Sequence, residues 1–357
     1  ELWMGWAVES GATNGGVYAY GIAYDETTSS SVYIVGGTNT ALASDLTQAG
    51  DVDYFIAKYD ANTHAQLWVR QVGASGGHTS GQGVKTDASG NIYLTGYTDV
   101  AISGQTLQGS QDYFIAKYDT DGNLLWTREV GASGGTTIGS GITVDSTFDK
   151  NVYITGRTNR GISGQTQSGD VDSFVTKYTS DGDLVNTIQF GAPGGTTTQG
   201  FSIVANSICN CLYVTGSTNT LIFGLQNNGI VDYFLAKYDY SLNLAWGIQV
   251  GASDGYSVGT GVGADAMGNG YITGYTTVGI SGQTQIGEEN YFIAEYNSEG
   301  ILQWGYQAGG KDGTTNARGI AISPLGGSYI TGISNVGIMG QSLVGNTDYF
   351  VVLYVDQ

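Results

Sequence analysis

Short runs of alternating hydrophobic and polar residues recur along this chain. From Asp112 the order Asp-Tyr-Phe-Ile-Ala-Lys-Tyr places Tyr113, Ile115 and Lys117 on one face of an extended segment and Phe114, Ala116 and Tyr118 on the other, because strand side chains alternate with period two. Both faces are apolar, which predicts a strand covered on both sides. Near copies start at Asp53, Asp172, Asp232, Asn290 and Asp348, at intervals of 58 to 60 residues. A fixed period of that length marks a repeat architecture and outweighs any single-residue signal.

One unit, taken from Gly141, holds the runs 141–145, 151–156, 172–178 and 184–190, separated by turn residues and one long loop. Four such runs, A to D, predict a four-stranded antiparallel sheet. Six units predict an all-β, six-bladed β-propeller over residues 1–357 as a single domain. The run Leu2 to Val8 resembles the D run Leu124 to Val130, whereas the last unit ends with its C run at Tyr354, so the N-terminal strand is expected to complete the last blade. The B-to-C and D-to-A connections are long and rich in glycine, while A-to-B and C-to-D are tight turns. Loops elaborated on one side of a rigid scaffold are where binding resides.

Composition narrows the function. Charged residues make up 12% of the chain, about half the share usual in a soluble domain, so Thr, Ser, Asn, Gln and Gly must form most of the surface. Twelve Lys and Arg stand against 31 Asp and Glu, and a net charge of −19 would repel a phosphate backbone, which argues against nucleic acid as a partner. No apolar run approaches the roughly 18 residues of a membrane span, and Glu1-Leu2-Trp3-Met4 does not read as a signal peptide. Membrane insertion is not expected, and the chain reads as a mature or excised soluble domain. Two cysteines, Cys209 and Cys211, provide no disulfide framework. Low charge, an acidic balance and Gly/Thr-rich repeats point to a secreted or cell-surface bacterial protein.

The order Gly90-Asn91-Ile92-Tyr93-Leu94-Thr95-Gly96, then Asp112 to Asp119, then Gly122-Asn123-Leu124-Leu125-Trp126, resembles the SBBP-type bacterial β-propeller repeat, over nearly the whole chain. That resemblance implies a structural or adhesive module within a large secreted or surface protein, with no catalytic residues to carry over. The family name refers to seven blades, whereas six units are counted here. A looser likeness, from the spacing of Asp60 to Trp68, is to the tryptophan-docking repeat of quinoprotein dehydrogenases. Those enzymes set adjacent cysteines over their cofactor, and here Asn210 separates the two.

Candidate chemistry follows from the repeat and from its exceptions. Asp53, Asp112, Asp172, Asp232 and Asp348, with Asn290 in the remaining unit, could form a ring of carboxylates holding calcium. Alternatively each accepts N–H bonds from its own glycine-rich loop; identical recurrence favours that role, and no cofactor is expected. Trp3, Trp68, Trp126, Trp246 and Trp304 could stack on sugars, or pack between blades from their fixed place in strand D. Lys117 is expected to run its stem along the surface, and Arg128 and Glu129 suit an outer edge that must not recruit a further strand. His64 and His78 lack further ligands for zinc, and no nucleophile elbow or HExxH motif occurs, so no enzyme is expected. Cys209 and Cys211 straddle an A-to-B turn as free or locally bonded thiols.

Where other units read Ile-Ser-Gly-Gln-Thr, one reads Ile222-Phe223-Gly224-Leu225-Gln226, and the preceding runs carry Ser173 for Tyr and Asn186 for Trp. Ile222, Phe223 and Leu225 form a candidate apolar partner contact; the alternative is a loop folded back over its own blade. The sequence thus reads as a non-catalytic extracellular structural or interaction propeller that self-associates or is displayed at the surface. Exchange of the Leu2 to Val8 strand between protomers is one possible route. A carbohydrate- or ligand-binding, lectin-like propeller is the alternative.

Overall fold

The computed structural model describes residues 15–25, 28–145, 147, 149–323 and 327–355. All its regular structure is β: six antiparallel sheets, the blades of a six-bladed β-propeller, each assembled from strands consecutive in sequence. Blade 1 contains β1 (Val17–Asp25), β2 (Ser31–Thr38), β3 (Asp53–Asp60) and β4 (Gln66–Val72). Blade 2 contains β5 (Thr79–Thr86), β6 (Ile92–Thr98), β7 (Asp112–Tyr118) and β8 (Leu124–Val130). In blade 3 are β9 (Thr137–Val144), β10 (Val152–Thr158), β11 (Asp172–Tyr178) and β12 (Leu184–Phe190). In blade 4 are β13 (Thr198–Asn206), β14 (Cys211–Thr218), β15 (Asp232–Asp239) and β16 (Leu244–Val250). Blade 5 has β17 (Ser257–Ala264), β18 (Gly270–Thr276), β19 (Asn290–Tyr296) and β20 (Leu302–Ala308), and blade 6 has β21 (Thr315–Ile322), β22 (Ser328–Ser334) and β23 (Asp348–Tyr354). Blade 6 therefore has three strands among the described residues, and the segment expected to complete it, Leu2 to Val8, lies outside them. Those residues include no helix long and apolar enough to cross a membrane.

By internal contacts the chain divides into two units. One comprises Glu1–Ile154, Arg160–Gly164 and Tyr178–Leu184; the other comprises Thr155–Asn159, Gln165–Lys177 and Val185–Gln357. In the first, Tyr33, Tyr54, Ile56, Ile92, Leu94 and Phe114 form a buried core between blades 1 and 2. Tyr54 stacks on Phe114 with ring centroids 4.9 Å apart. In the second, Tyr213, Tyr233, Leu235, Ile272 and Phe292 do the same between blades 4 and 5, and Tyr233 stacks on Phe292 at 4.8 Å. The two apolar faces of the C run are therefore both used, each against a neighbouring layer.

Blades are also joined by polar contacts that recur with the repeat. The Tyr54 and Tyr118 hydroxyls meet at 2.7 Å and those of Tyr113 and Tyr178 at 2.6 Å; Tyr233 meets Tyr296 at 2.8 Å and Tyr291 meets Tyr354 at 2.7 Å. Burial pushes Tyr118 and Tyr296 up to about 12, so these pairs stay neutral. The lysine of strand C is not a surface stem, as its charge alone suggested. Lys117 Nζ donates to the Ser180 carbonyl of the next C-to-D turn at 2.8 Å, and the cross-strand Trp126 Nε1 donates to the same oxygen at 3.3 Å. Lys58 with Trp68 on Thr120, and Lys237 with Trp246 on Ser298, repeat the clamp. Trp68, Trp126 and Trp246 accordingly pack between blades, and Trp3 lies outside the described residues.

Candidate functional site

The long B-to-C loops are fastened by the residue that opens strand C. Asp53 accepts the N–H groups of Ala49 and Gly50 at 2.8 and 2.7 Å, Asp172 those of Ser168 and Gly169, both at 2.7 Å, and Asp232 those of Asn228 and Gly229, both at 2.7 Å. Asp112 and Asp348 bind their own loops in the same way. Each side chain thus serves its own blade, and among the described residues no three His, Cys, Asp or Glu side chains gather as a metal-holding group. A glycine follows strand D for a related reason: a Cβ at Gly131 would collide with Asp112 Oδ1. Asn290 has only one oxygen, which takes the Gly287 N–H at 3.1 Å.

The loop singled out by its departure from the repeat turns inward. Ile222 is 4% exposed, which corrects its assignment as a contact residue. Phe223 occupies a β-turn position with φ of 58°, where serine stands at 103, 163 and 281. Its ring packs on Phe190 at 5.4 Å and on Phe234 at 6.2 Å. Gly247 makes room for it, since a Cβ there would run into the Phe223 ring. Leu225 is half-buried. The large apolar side chains this loop does expose are Leu221 and Ile230, which sequence comparison between units had passed over.

Other candidates are placed as follows. Cys209 and Cys211 are joined in a disulfide with Cα atoms 5.2 Å apart, across the turn between β13 and β14. His78 stacks on Tyr97, with Nε2 3.2 Å from its hydroxyl, and His64 lies in the turn after β3 with φ of 66°. Glu129, expected on an outer edge, is buried, and its Oε1 accepts the Ile102 N–H at 2.6 Å.

A recurrent feature was missed. Strand D begins with aliphatic side chains that face solvent: Leu67, Leu124 with Leu125, Leu184 with Val185, Leu244, and Ile301 with Leu302, each between 40% and 55% exposed. A β-bulge puts them there. In blade 2, Tyr118 pairs with Leu124 and Lys117 with Trp126, leaving Leu125 unpaired in the register, and blades 1, 4 and 5 shift at the same place. The available signal was two consecutive apolar residues before the tryptophan, a break in strand alternation. Beside each corner lies an acidic turn, with Asp60, Asp119, Asp181, Asp239 or Glu299. The Thr63 and Asn62 N–H groups hold the Asp60 carboxyl below its usual value.

Comparison with known proteins agrees on the fold. Residues 67–102 and 125–162 match the SBBP β-propeller repeat. Over 170 residues the chain is 26% identical to the regulatory protein FlaEY of Caulobacter vibrioides, a match taking in 43% of this chain and 17% of that protein. The chain therefore spans less than a fifth of the length of this curated relative. A solved Lactobacillus plantarum protein superposes with a TM-score of 0.51 at 11% identity, covering 88% of this chain and 80% of the other. A Xanthomonas campestris gluconolactonase reaches a TM-score of 0.42 at 13% identity, over 95% of this chain and 86% of its own. At 11% identity the likeness to the Lactobacillus plantarum protein is one of fold alone.

Proposed function

We propose that this chain, two of whose repeats carry the SBBP pattern, is a non-catalytic interaction module that acts outside the cell by associating with further copies of itself. The observation that carries this reading is the solvent-facing aliphatic corner at the start of strand D, present in five successive blades. Burying the exposed half of one such leucine contributes about 1 kcal/mol, and equivalent corners on one scaffold act together. The bulge at the corners of blades 1, 2, 4 and 5 twists the edge backbone away from strand addition, so association runs through side chains. Two features support a role outside the reducing cytosol: the Cys209–Cys211 disulfide and a surface of hydroxyls and amides. A non-catalytic role is supported by the acids of strand C, whose oxygens are committed to their own loops.

Light scattering tests the proposal. With a net charge of −19, copies repel at low salt, and the screening length falls from about 30 Å at 0.01 M to about 10 Å at 0.1 M. Larger species are expected as salt is raised, and the variant carrying Leu124→Thr, Leu125→Thr, Leu184→Thr and Val185→Thr is expected to remain monomeric. A wild-type chain that stays monomeric at all salt concentrations would overturn self-association.

A further inference from the structure

At the end of strand D four blades carry a glutamine, Gln71, Gln189, Gln249 and Gln307, whose amide fastens the B-to-C loop from both sides. The Nε2 groups of Gln71, Gln189 and Gln249 donate to the strand C aspartate of their own blade at 2.9, 2.9 and 3.0 Å. The Oε1 of Gln71, Gln249 and Gln307 accepts a loop N–H at 3.1, 3.2 and 3.1 Å. In blade 2 this position is Glu129, and its Oε1 plays the second part, accepting from Ile102.

That leaves Glu129 Oε2 where the other blades have a donor. The side chain belongs to a residue 5% exposed, and Oε2 has no hydrogen-bond partner. The loop offers no replacement. Leu107 stands where the loops of blades 1, 3, 4 and 5 have Gln48, Gln167, Asn227 and Gln285, and Asn227 and Gln285 accept from their strand D glutamines at 3.0 and 2.6 Å. The charged group facing Glu129 from β7 is Asp112, whose Oδ2 already accepts the Gln108 N–H at 2.7 Å; the loop presents the Ile102 N–H. The Asp112 charge disfavours ionisation of Glu129. A proton on Glu129 Oε2 supplies the donor that the glutamine amide supplies in the other blades, in a charge-assisted O–H···O bond.

We propose that Glu129 keeps its proton on the acid side of neutrality, Glu129 Oε2–H donating to Asp112 Oδ2, so that blade 2 contains a buried proton-binding site that fastens loop 99–111. Burial pushes the Glu129 carboxyl up to about 7; the Ile102 N–H opposes the shift and the Asp112 charge adds to it. In the unfolded chain a glutamate titrates near its ordinary value of about 4.3. The folded state therefore holds this proton to higher pH than the unfolded one. Its contribution is complete below about pH 4.3 and is lost as pH rises through about 7.

The experiment compares urea midpoints of wild type and Glu129→Gln from pH 4 to 8.5 at constant ionic strength. Glutamine donates at every pH, so the gap between the two proteins is expected to widen in favour of the variant until about pH 7 and then level off. In the wild-type protein, the carbon-13 carboxyl signal of Glu129 is expected to titrate near pH 7, a reading that does not depend on how the variant folds. Parallel midpoint curves, or a carboxyl titrating near 4.3, would overturn the proposal. So would recovery of the variant's midpoint by wild type on adding sodium or calcium at pH 8, which would assign the position to a metal cation.

Discussion

Asn290 opens its strand where the five other units place aspartate, and the difference falls on a single atom. Its Oδ1 holds one loop N–H, while its buried Nδ2 has no partner. Aspartate would offer a second acceptor to that loop and to Gln307, so Asn290→Asp is expected to stabilise the protein by about 1 kcal/mol, read as a raised urea midpoint. Lys117 makes the converse case. Its ammonium lies on the Ser180 carbonyl, and Lys117→Met is expected to cost about 1.5–3 kcal/mol, the range for a hydrogen bond to a charged group. The same change at Lys311, which is exposed beside Asp312, is expected to alter stability by less than about 0.5 kcal/mol. The spacing of these residues was legible in the chain, and so was the role of the repeated aspartates. The fates of Lys117 and Glu129 were not, because a charged side chain reads as solvated until its partner is known.

Among elements, blades 3 and 4 depart from the pattern at positions that meet in space. Phe223 takes the place of a serine and lies over Gly247, a position held by Val69, Thr127 and Thr187 in blades 1 to 3 and by Gly305, beneath Ser281, in blade 5. A double-mutant cycle measures this. Phe223→Ser alone is expected to cost about 2–3 kcal/mol through the cavity beside Phe190 and Phe234, Gly247→Thr alone should clash, and the pair together should lie closer to wild type than the sum of the two. If the effects simply add, the two positions are not coupled. Phe190 likewise stands where the sister strands end in valine or alanine, and Ser173 where they have tyrosine. Ser173 Oγ is left buried without a partner. Both substitutions were visible by aligning the units with one another. Which way the Phe223 ring turns was not, because that depends on the absence of a Cβ at Gly247, on a different strand.

For the molecule as a whole, charge and apolar corners act against each other. Lowering the pH towards 4 protonates carboxylates and reduces self-repulsion, so larger species are expected at pH 4.5 than at pH 7.5 at low salt, as measured by sedimentation velocity. Asp60 resists that change, its carboxyl being held low by two backbone N–H groups. The sequence by itself determined the period, the order of four strands in each unit, the long and short connections, and the alternation that buries strand C on both faces. These are local properties, set by side-chain period and turn residues within a few positions of each other. Only the tertiary structure decided which polar groups leave the water. The acceptor for Lys117 is 63 residues further along the chain, the partner of Tyr54 is 64 residues away, and the leucines that face solvent do so through a bulge that exists only once two strands have paired.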